Sequence, residues 1–469
     1  MTFGIVIACT VIVELYVLRR LRFGWFMVAT VLGGALVNLN YLAYTSIYER
    51  NYDAPSHLLY IDAIAEHLRM PTESLCTACG HPPLYYALAA LWSKVVLAGA
   101  WIPREMGLQW LSLLLFFGFV VFSLLILRST IERPATMRLA AALVVFWPSS
   151  IINSVRVHND ALASTLMIAS IYFIAQWDRQ GRHRDFYAAL ATSALALLTK
   201  STGYTMAATL LAVAALRLLS KQKFSEGFQT FPRSGFSGQC PPPPTRSTRF
   251  DRESIKQCAT AMFVLFSVAL LAVALRGPVY PFALCQKVLG HACDIPPEWF
   301  VSNKPINYLS FDLRGFLSDT SSLAYPPKQD YFFNGLAKSS LFGVMPLGKD
   351  FEGGPYKNLA VFISLLSLAM VAVCVVVLPF IRSVSWQKYR ALVAAAASML
   401  ILLAAFRLLV PTPFHEDFRH IFPILVPVCL LYAKVVERLS RWSGVLHKAG
   451  IVLGLLMIAS SVAFFVRVP

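Results

Sequence analysis

Charge is scarce in this sequence. Only 14% of its 469 residues are Asp, Glu, Lys or Arg, while 57% are hydrophobic. A soluble domain must cover its surface with polar groups and cannot hide that much apolar side chain, so a water-soluble fold is excluded. The mean hydropathy of +0.62 agrees. Acids are scarcer than bases, 24 against 41, for a formal net charge of +17. Nucleic-acid binding would need that excess clustered on one soluble face. Here the basic residues sit at the ends of apolar runs, as membrane topology requires, and no nucleic-acid partner is expected. The first apolar stretch lacks a basic n-region and a small-residue cleavage site. Arg19, Arg20 and Arg22 follow it directly, so it is read as a retained span with its N-terminus outside. No inverted repeat of the kind many transporters carry is visible, and the apolar runs are almost free of charge, apart from Arg407 near one end.

What is present is a series of apolar runs of roughly 20 residues or somewhat fewer. They fall at about 1–18, 24–43, 105–127, 139–152, 160–177, 186–199, 203–217, 258–275, 358–381, 391–410, 421–436 and 447–466. The expected fold is therefore an all-α polytopic membrane protein of about a dozen spans. The run from Phe186 to Leu216 is too long for one span, and one helix would put Lys200 at mid-bilayer, at roughly 2.5–3.5 kcal/mol. Two short helices meeting at the outer surface around Lys200-Ser-Thr-Gly203 avoid that cost. With this split, Arg19, Arg20, Arg22, Arg128, Arg133, Arg138, Arg179, Arg182, Arg184, Arg382, Lys388, Arg390, Lys434, Arg438 and Arg441 all fall on the inside. The short outer loops keep only Arg156, Lys200 and Arg419, so both termini are placed outside.

The resulting organisation is a catalytic transmembrane core over 1–217, a basic cytoplasmic linker over 218–257 and a span over 258–275. A large outer loop over 276–357 and the remaining spans over 358–469 complete it. The first outer loop, 44–104, carries two expected interfacial helices, one from Pro55 to Leu68 and one beginning at Pro82. The linker contains Pro241 to Pro244 and is read as flexible. The second large loop is rich in Pro, Gly and aromatics, with no clear periodicity.

The chemistry-bearing residues collect on the outer side. Asp53, His57 and Tyr60 face one direction on successive turns of the first interfacial helix. Asp53 can act as a general base on an acceptor hydroxyl or amine; capping that helix is its alternative role, and the two can coexist. His81-Pro-Pro-Leu-Tyr85-Tyr86 starts the second helix sharply and holds His81 at its mouth. In the short loop Arg156-Val-His158-Asn159-Asp160, the Arg beside His, Asn and Asp could grip a phosphate through fork-like hydrogen bonds, against the alternative of a solvated turn. Lys200 is a further outer cation, or one that merely snorkels to the interface. His415-Glu-Asp-Phe-Arg419-His420 precedes the eleventh run and is either functional or a surface anchor.

The order of these pieces resembles the membrane glycosyltransferases of the GT-C superfamily, in the branch of the protein O-mannosyltransferases and lipid A aminoarabinose transferases. The residues carrying the resemblance are Tyr52-Asp53-Ala-Pro-Ser-His57-Leu-Leu-Tyr60-Ile61, His81-Pro-Pro-Leu-Tyr-Tyr86, Arg156-Val-His-Asn-Asp160, Leu198-Thr-Lys200-Ser-Thr-Gly203 and Arg419-His420. The resemblance implies a polyprenyl-phosphate-sugar donor and an acceptor that is lipid, polysaccharide or protein. It implies transfer with inversion, Asp53 as base with His57 beside it, and Arg156, Lys200 and Arg419 on the donor phosphate. His81, Tyr85, His158, Asn159, Asp160 and His420 would bind substrate. Where relatives place a second acid beside the first, Glu49 or Asp62 would have to serve. The setting implied is a bacterial inner membrane with the site facing the periplasm. A lipid or glycan transporter, or a non-catalytic partner of a glycan-assembly enzyme, is the competing reading.

Cys76, Cys79, Cys285 and Cys293 lie in outer loops, where oxidation to disulfides is permitted, within or between loops. The alternative is zinc held by Cys76, Cys79 and His81 with a ligand such as His291. No cofactor is required by the sequence; a divalent metal ion is the candidate.

Overall fold

The computed structural model describes residues 2–48, 51, 53–72, 75–97, 102–229, 247–276, 301–318, 330–343, 355–381, 386–409 and 411–467. All regular structure in them is helical. The helices are α1 (Thr2–Arg20), α2 (Trp25–Tyr44), α3 (Ala54–His67), α4 (Leu84–Val95), α5 (Arg104–Thr130), α6 (Pro134–Phe146), α7 (Pro148–Ser154), α8 (Asp160–Gln180) and α9 (His183–Thr199). They continue with α10 (Tyr204–Gln229), α11 (Ser247–Arg276), α12 (Pro305–Leu309), α13 (Leu313–Ser318), α14 (Phe332–Phe342), α15 (Pro355–Val377), α16 (Trp386–Leu409), α17 (Leu425–Leu439) and α18 (Gly444–Arg467). The protein is an integral, multi-pass membrane protein.

Helices occupy all the expected apolar runs, but fewer than a dozen meet the demands of a span. Among the described residues, eight are long and apolar enough, nine if α6 and α7 count as one span bent by 50°. The bend has a cause: Pro148 opens α7 and cannot continue the hydrogen-bond ladder of α6. At 17 residues, α9 is only about 25 Å long, short of the roughly 30 Å hydrocarbon core. In α8 the polar Ser164, Ser170 and Gln176 are buried against neighbouring helices rather than shown to lipid. α8 is packed inside the bundle and does not need the composition of a lipid-facing span, whereas α9 is buried along one face only and leaves Tyr187 and Leu195 exposed on the other.

The split at Lys200 is present. Thr199 ends α9, Ser201–Gly203 form one 3-10 turn, and α10 starts at Tyr204. A Cβ on Gly203 would lie 2.5 Å from the backbone carbon of Ala196, so only glycine lets the chain fold back this tightly over the end of α9.

Contacts sort the loops into two ends. Arg128 donates to the carbonyl of Leu21, Arg179 to that of Ser129 and Arg217 to that of Trp177. Arg390 pairs with Asp178, Lys388 with Glu132 and Arg133 with Glu437. Arg19 lies over the ring of Trp25 and Arg138 over that of Phe26. The basic loops thus gather at one end of the bundle, and the candidate functional residues gather at the other.

At that other end, α3 and α4 form the expected pair in the first loop. The second large loop, whose sequence shows no clear periodicity, contains α12, α13 and α14 among its described residues. Trp147 Nε1 donates to the Ser340 carbonyl at 2.9 Å, pinning α14 on the bend between α6 and α7. Buried Arg407 donates to the carbonyls of Ser302 and Asp330 and pairs with buried Glu416 at 2.5 Å. This joint fixes the second loop to the segment leading into α17. The linker stretch with Pro241 to Pro244, and Glu49, Cys285, His291 and Cys293, lie outside the described residues.

Candidate functional site

Arg419 is the hub of this end. Its Nη1 lies 3.0 Å from Oδ2 of Asp53, and its Nε lies 2.8 Å from Oδ2 of Asp417 and 3.9 Å from Oδ2 of Asp160. Local folding explains its position. Asp417 caps the 3-10 segment Phe418–Ile424 by accepting from the Arg419 backbone N–H, and the Ser339 hydroxyl accepts from the Phe418 N–H at 2.9 Å. The turn before α17 is thereby held against α14, with Arg419 buried.

Asp53 occupies the residue before the first turn of α3, with Pro55 just inside, yet its carboxylate makes no capping bond. The side chain turns instead to Arg419 and to His57, whose Nε2 lies 3.5 Å away. The other ring nitrogen of His57 meets the Tyr86 hydroxyl at 2.8 Å. Oδ1 of Asp53 has no hydrogen-bond partner among the described residues. Burial would raise the pKa of this carboxyl. The Arg419 guanidinium, helped by His57, prevails and holds it well below the usual carboxylate range.

Lys200 Nζ donates to Asp160 Oδ1 at 2.5 Å and lies 3.2 Å from Nδ1 of His420. Asn159 donates to the Thr199 carbonyl at 3.3 Å, clipping the start of α8 to the end of α9 beside Lys200. His158 is 1% exposed, and neither ring nitrogen has a hydrogen-bond partner among the described residues. Burial pushes its pKa down to about 3 against the pull of Asp160, so the imidazole is neutral. His81 stacks on His57 with ring centroids 6.3 Å apart.

Arg156 stands apart from the other cations. It is 5% exposed, and among the described residues no carboxylate lies within ion-pair distance of it. Its hydrogen bond to Asn153 is long at 3.4 Å, and Nε has no partner. Burial lowers its pKa, with the charge of Asp417 only partly opposing. Gly343, at φ +73°, passes directly over the guanidinium; a Cβ there would sit 2.9 Å from Nη2. The end of α14 is therefore one wall of the Arg156 environment.

Several sequence expectations are redistributed. Tyr85 is buried with its ring edge-to-face against Tyr86, and Tyr86 is the one that meets His57. Asp62 pairs with Arg104, so the carboxylates joining Asp53 around Arg419 are Asp160 and Asp417, from distant parts of the chain. Asp417 stood beside Arg419 in sequence, a proximity that could have marked it; nothing local marked Tyr86 over Tyr85. Cys76 and Cys79 form a disulfide, so their sulfurs are not zinc ligands in this state. No group of three His, Cys, Asp or Glu placed to hold a metal occurs among the described residues.

No protein-family model and no curated protein matches the sequence. Solved structures do match. One is the archaeal oligosaccharyltransferase AglB from Archaeoglobus fulgidus in complex with an inhibitory peptide and a dolichol-phosphate, at 11% identity and TM-score 0.50, covering 94% of this chain and 55% of that one. Another is the Archaeoglobus fulgidus oligosaccharyltransferase in the apo form, at 12% identity and TM-score 0.50, covering 95% and 56%. This chain thus spans about half the length of those structures, and the polytopic GT-C-like fold expected from the sequence is the fold it shares with them.

Proposed function

We propose that this protein is an inverting glycosyltransferase that moves a sugar from a polyprenyl-phosphate-linked donor to an acceptor on the outer face of its membrane. The observation that carries the reading is Arg156, a buried guanidinium without an anionic partner among the described residues, at the end of the bundle where Lys200 and Arg419 have theirs. A buried cation left uncompensated is costly, and a phosphate, whose oxygens match the guanidinium's planar fork of donors, would relieve it. The dolichol-phosphate held by AglB supports a lipid-linked donor by likeness of fold.

In this scheme the acceptor's hydroxyl or amine attacks the anomeric carbon and loses its proton to Oδ1 of Asp53. The carbon–oxygen bond to the phosphate breaks, and the electron pair leaves on the lipid phosphate, where Arg156, Lys200 and Arg419 stabilise the charge. Arg419 serves both partners. When the donor phosphate engages it, Asp53 loses part of the interaction that keeps its proton affinity low, so donor binding strengthens the base. His57, anchored by Tyr86, keeps the carboxylate oriented.

The test is thermal stabilisation of the purified, lipid-reconstituted protein by a polyprenyl phosphate. Wild type is expected to be stabilised and Arg156→Ala to lose most of the shift while remaining folded. A shift that survives in the mutant would remove the phosphate role. No shift in either protein would favour the transporter or accessory-subunit reading.

A further inference from the structure

Cys76 and Cys79 are joined by a disulfide, with Cα atoms 5.1 Å apart. The bond closes a ring over the 3-10 turn Thr77–Gly80, between α3 and α4. A cross-link stabilises a fold mainly by restricting the unfolded chain, and more so the longer the loop it closes. This one spans a sequence separation of 3, so it adds least to the fold as a whole. What it fixes is the shape of one turn.

That turn is clipped to α3 on both sides of His57. The Ser56 hydroxyl oxygen accepts from the Ala78 N–H at 2.7 Å and from the Thr77 hydroxyl at 2.9 Å. One turn further along α3, the Tyr60 hydroxyl donates to the His81 carbonyl at 3.2 Å. His57 lies between, 3.5 Å from Asp53 and 2.8 Å from the Tyr86 hydroxyl. The chain that leaves the turn at His81 enters α4 at Leu84, so the same turn also sets where Tyr86 stands. The two sulfurs differ in access: Cys79 is 4% exposed, whereas Cys76 is half-buried and can be reached from solvent.

We infer that the Cys76–Cys79 disulfide is a reversible redox element that positions His57, and through it Asp53, for the transfer step. The inference rests on the glycosyltransferase reading above. A dithiol reductant attacks Cys76 Sγ through one thiolate, and the S–S bond breaks with its electron pair leaving on Cys79 Sγ, which takes up a proton. The reductant's second thiol then displaces Cys76 and closes the reductant's own disulfide, so the cysteines gain two electrons and two protons. In the reduced form the turn keeps its donors to Ser56 but loses the cross-link that holds their geometry. Asp53 still pairs with Arg419, so donor binding is spared while the base loses its alignment. Cys76, Cys79 and Ser56 are positioning residues, and none touches the reacting atoms.

The experiment uses the full chain in lipid, oxidised or treated with dithiothreitol, with the thiol state of Cys76 and Cys79 read by mass spectrometry. The readouts are carbethoxylation of His57 by diethyl pyrocarbonate, the thermal shift given by a short-chain polyprenyl phosphate, and release of lipid phosphate from polyprenyl-phosphate hexoses. His57 is 2% exposed, so it should label slowly when the disulfide is intact and faster after reduction. Reduction should leave the phosphate shift unchanged and slow release by about 10- to 100-fold, the scale for a group displaced by up to about 1 Å. Reoxidation with glutathione disulfide should reverse both effects. The double variant Cys76→Ser, Cys79→Ser should match the reduced protein and ignore the dithiol. Ser56→Ala, with the disulfide intact, should slow release and blunt the further effect of reduction. Unchanged release or unchanged His57 labelling on full reduction would overturn the inference and leave the transferase reading standing. Loss of the phosphate shift on reduction would also overturn it, by making the disulfide a support of the whole site. Absence of release from every donor in the oxidised wild type would overturn the parent reading, and this one with it.

Discussion

Arg419 Nη1 lies 3.0 Å from Oδ2 of Asp53, joining the first outer loop to the turn before α17. The pair has a kinetic consequence. With Arg419 present, the Asp53 carboxyl sits well below the usual range, so it is ionised throughout ordinary pH. In Arg419→Gln, burial becomes the dominant influence and the pKa rises. The acid limb of the pH–rate profile, followed as release of lipid phosphate from a stabilising donor, should move toward neutral pH in the variant. Arg419→Lys should move it less. An acid limb that does not move would break the link between these residues.

His158 makes a separate prediction about stability. Its folded pKa is about 3, against the usual 6.5 of an unfolded histidine. Between those values the unfolded chain binds a proton that the folded protein refuses. The contribution is therefore intact above pH 6.5 and is lost progressively as pH falls toward 3. His158→Gln cannot show this loss. The difference in melting temperature, wild type minus variant, should shrink from pH 7 to pH 4.5. A difference that stays constant would show that His158 takes up a proton in the folded state.

The joint between Arg407 and Glu416 predicts non-additive mutations. Both are essentially unexposed, and they pair at 2.5 Å. Glu416→Leu strands a guanidinium in the interior and should cost about 3–5 kcal/mol, as should Arg407→Met. The double variant should be destabilised by far less than the sum, because no orphan charge remains. Additive losses in denaturation experiments would show that the two do not act as a pair.

Gly203→Ala should lower stability by about 1–3 kcal/mol, because the new Cβ would strike backbone atoms of Ala196 rather than a yielding side chain. A melting temperature equal to wild type would mean that the reversal at Lys200 is looser than described.

Much of this fold was legible because the bilayer imposes it. Apolar runs and the basic residues flanking them are one-dimensional signals, and α1, α2, α5, α15 and α18 lie within a few residues of their expected ranges. The break at Lys200 was also readable, since a mid-membrane lysine costs too much to leave in one helix. The count of spans was less so: α8 is shielded by neighbours, so its polarity no longer follows the lipid rule, and α9 is only 17 residues long. At the candidate site, the sequence brought the right loops to one side but could not choose among adjacent residues. Tyr85 and Tyr86 are identical in type, and only the rotation of α4 decides which one reaches His57. The second acid was sought near Asp53 in sequence, whereas Asp160 and Asp417 arrive through tertiary packing. The Asp53 side chain, expected to divide its time between capping and catalysis, spends its contacts on Arg419 and His57.

The most direct test of the central claim is Asp53→Asn, measured in parallel for donor binding and for lipid-phosphate release. The substitution keeps the shape of the side chain and removes its ability to accept a proton as a carboxylate. We predict that the variant still binds the sugar-bearing lipid, as read by thermal shift, and releases its lipid phosphate at least 100-fold more slowly, the lower end of what a positioned base contributes. Release at the wild-type rate, with the variant demonstrably folded and loaded, would contradict Asp53 as the base and the transfer mechanism built on it.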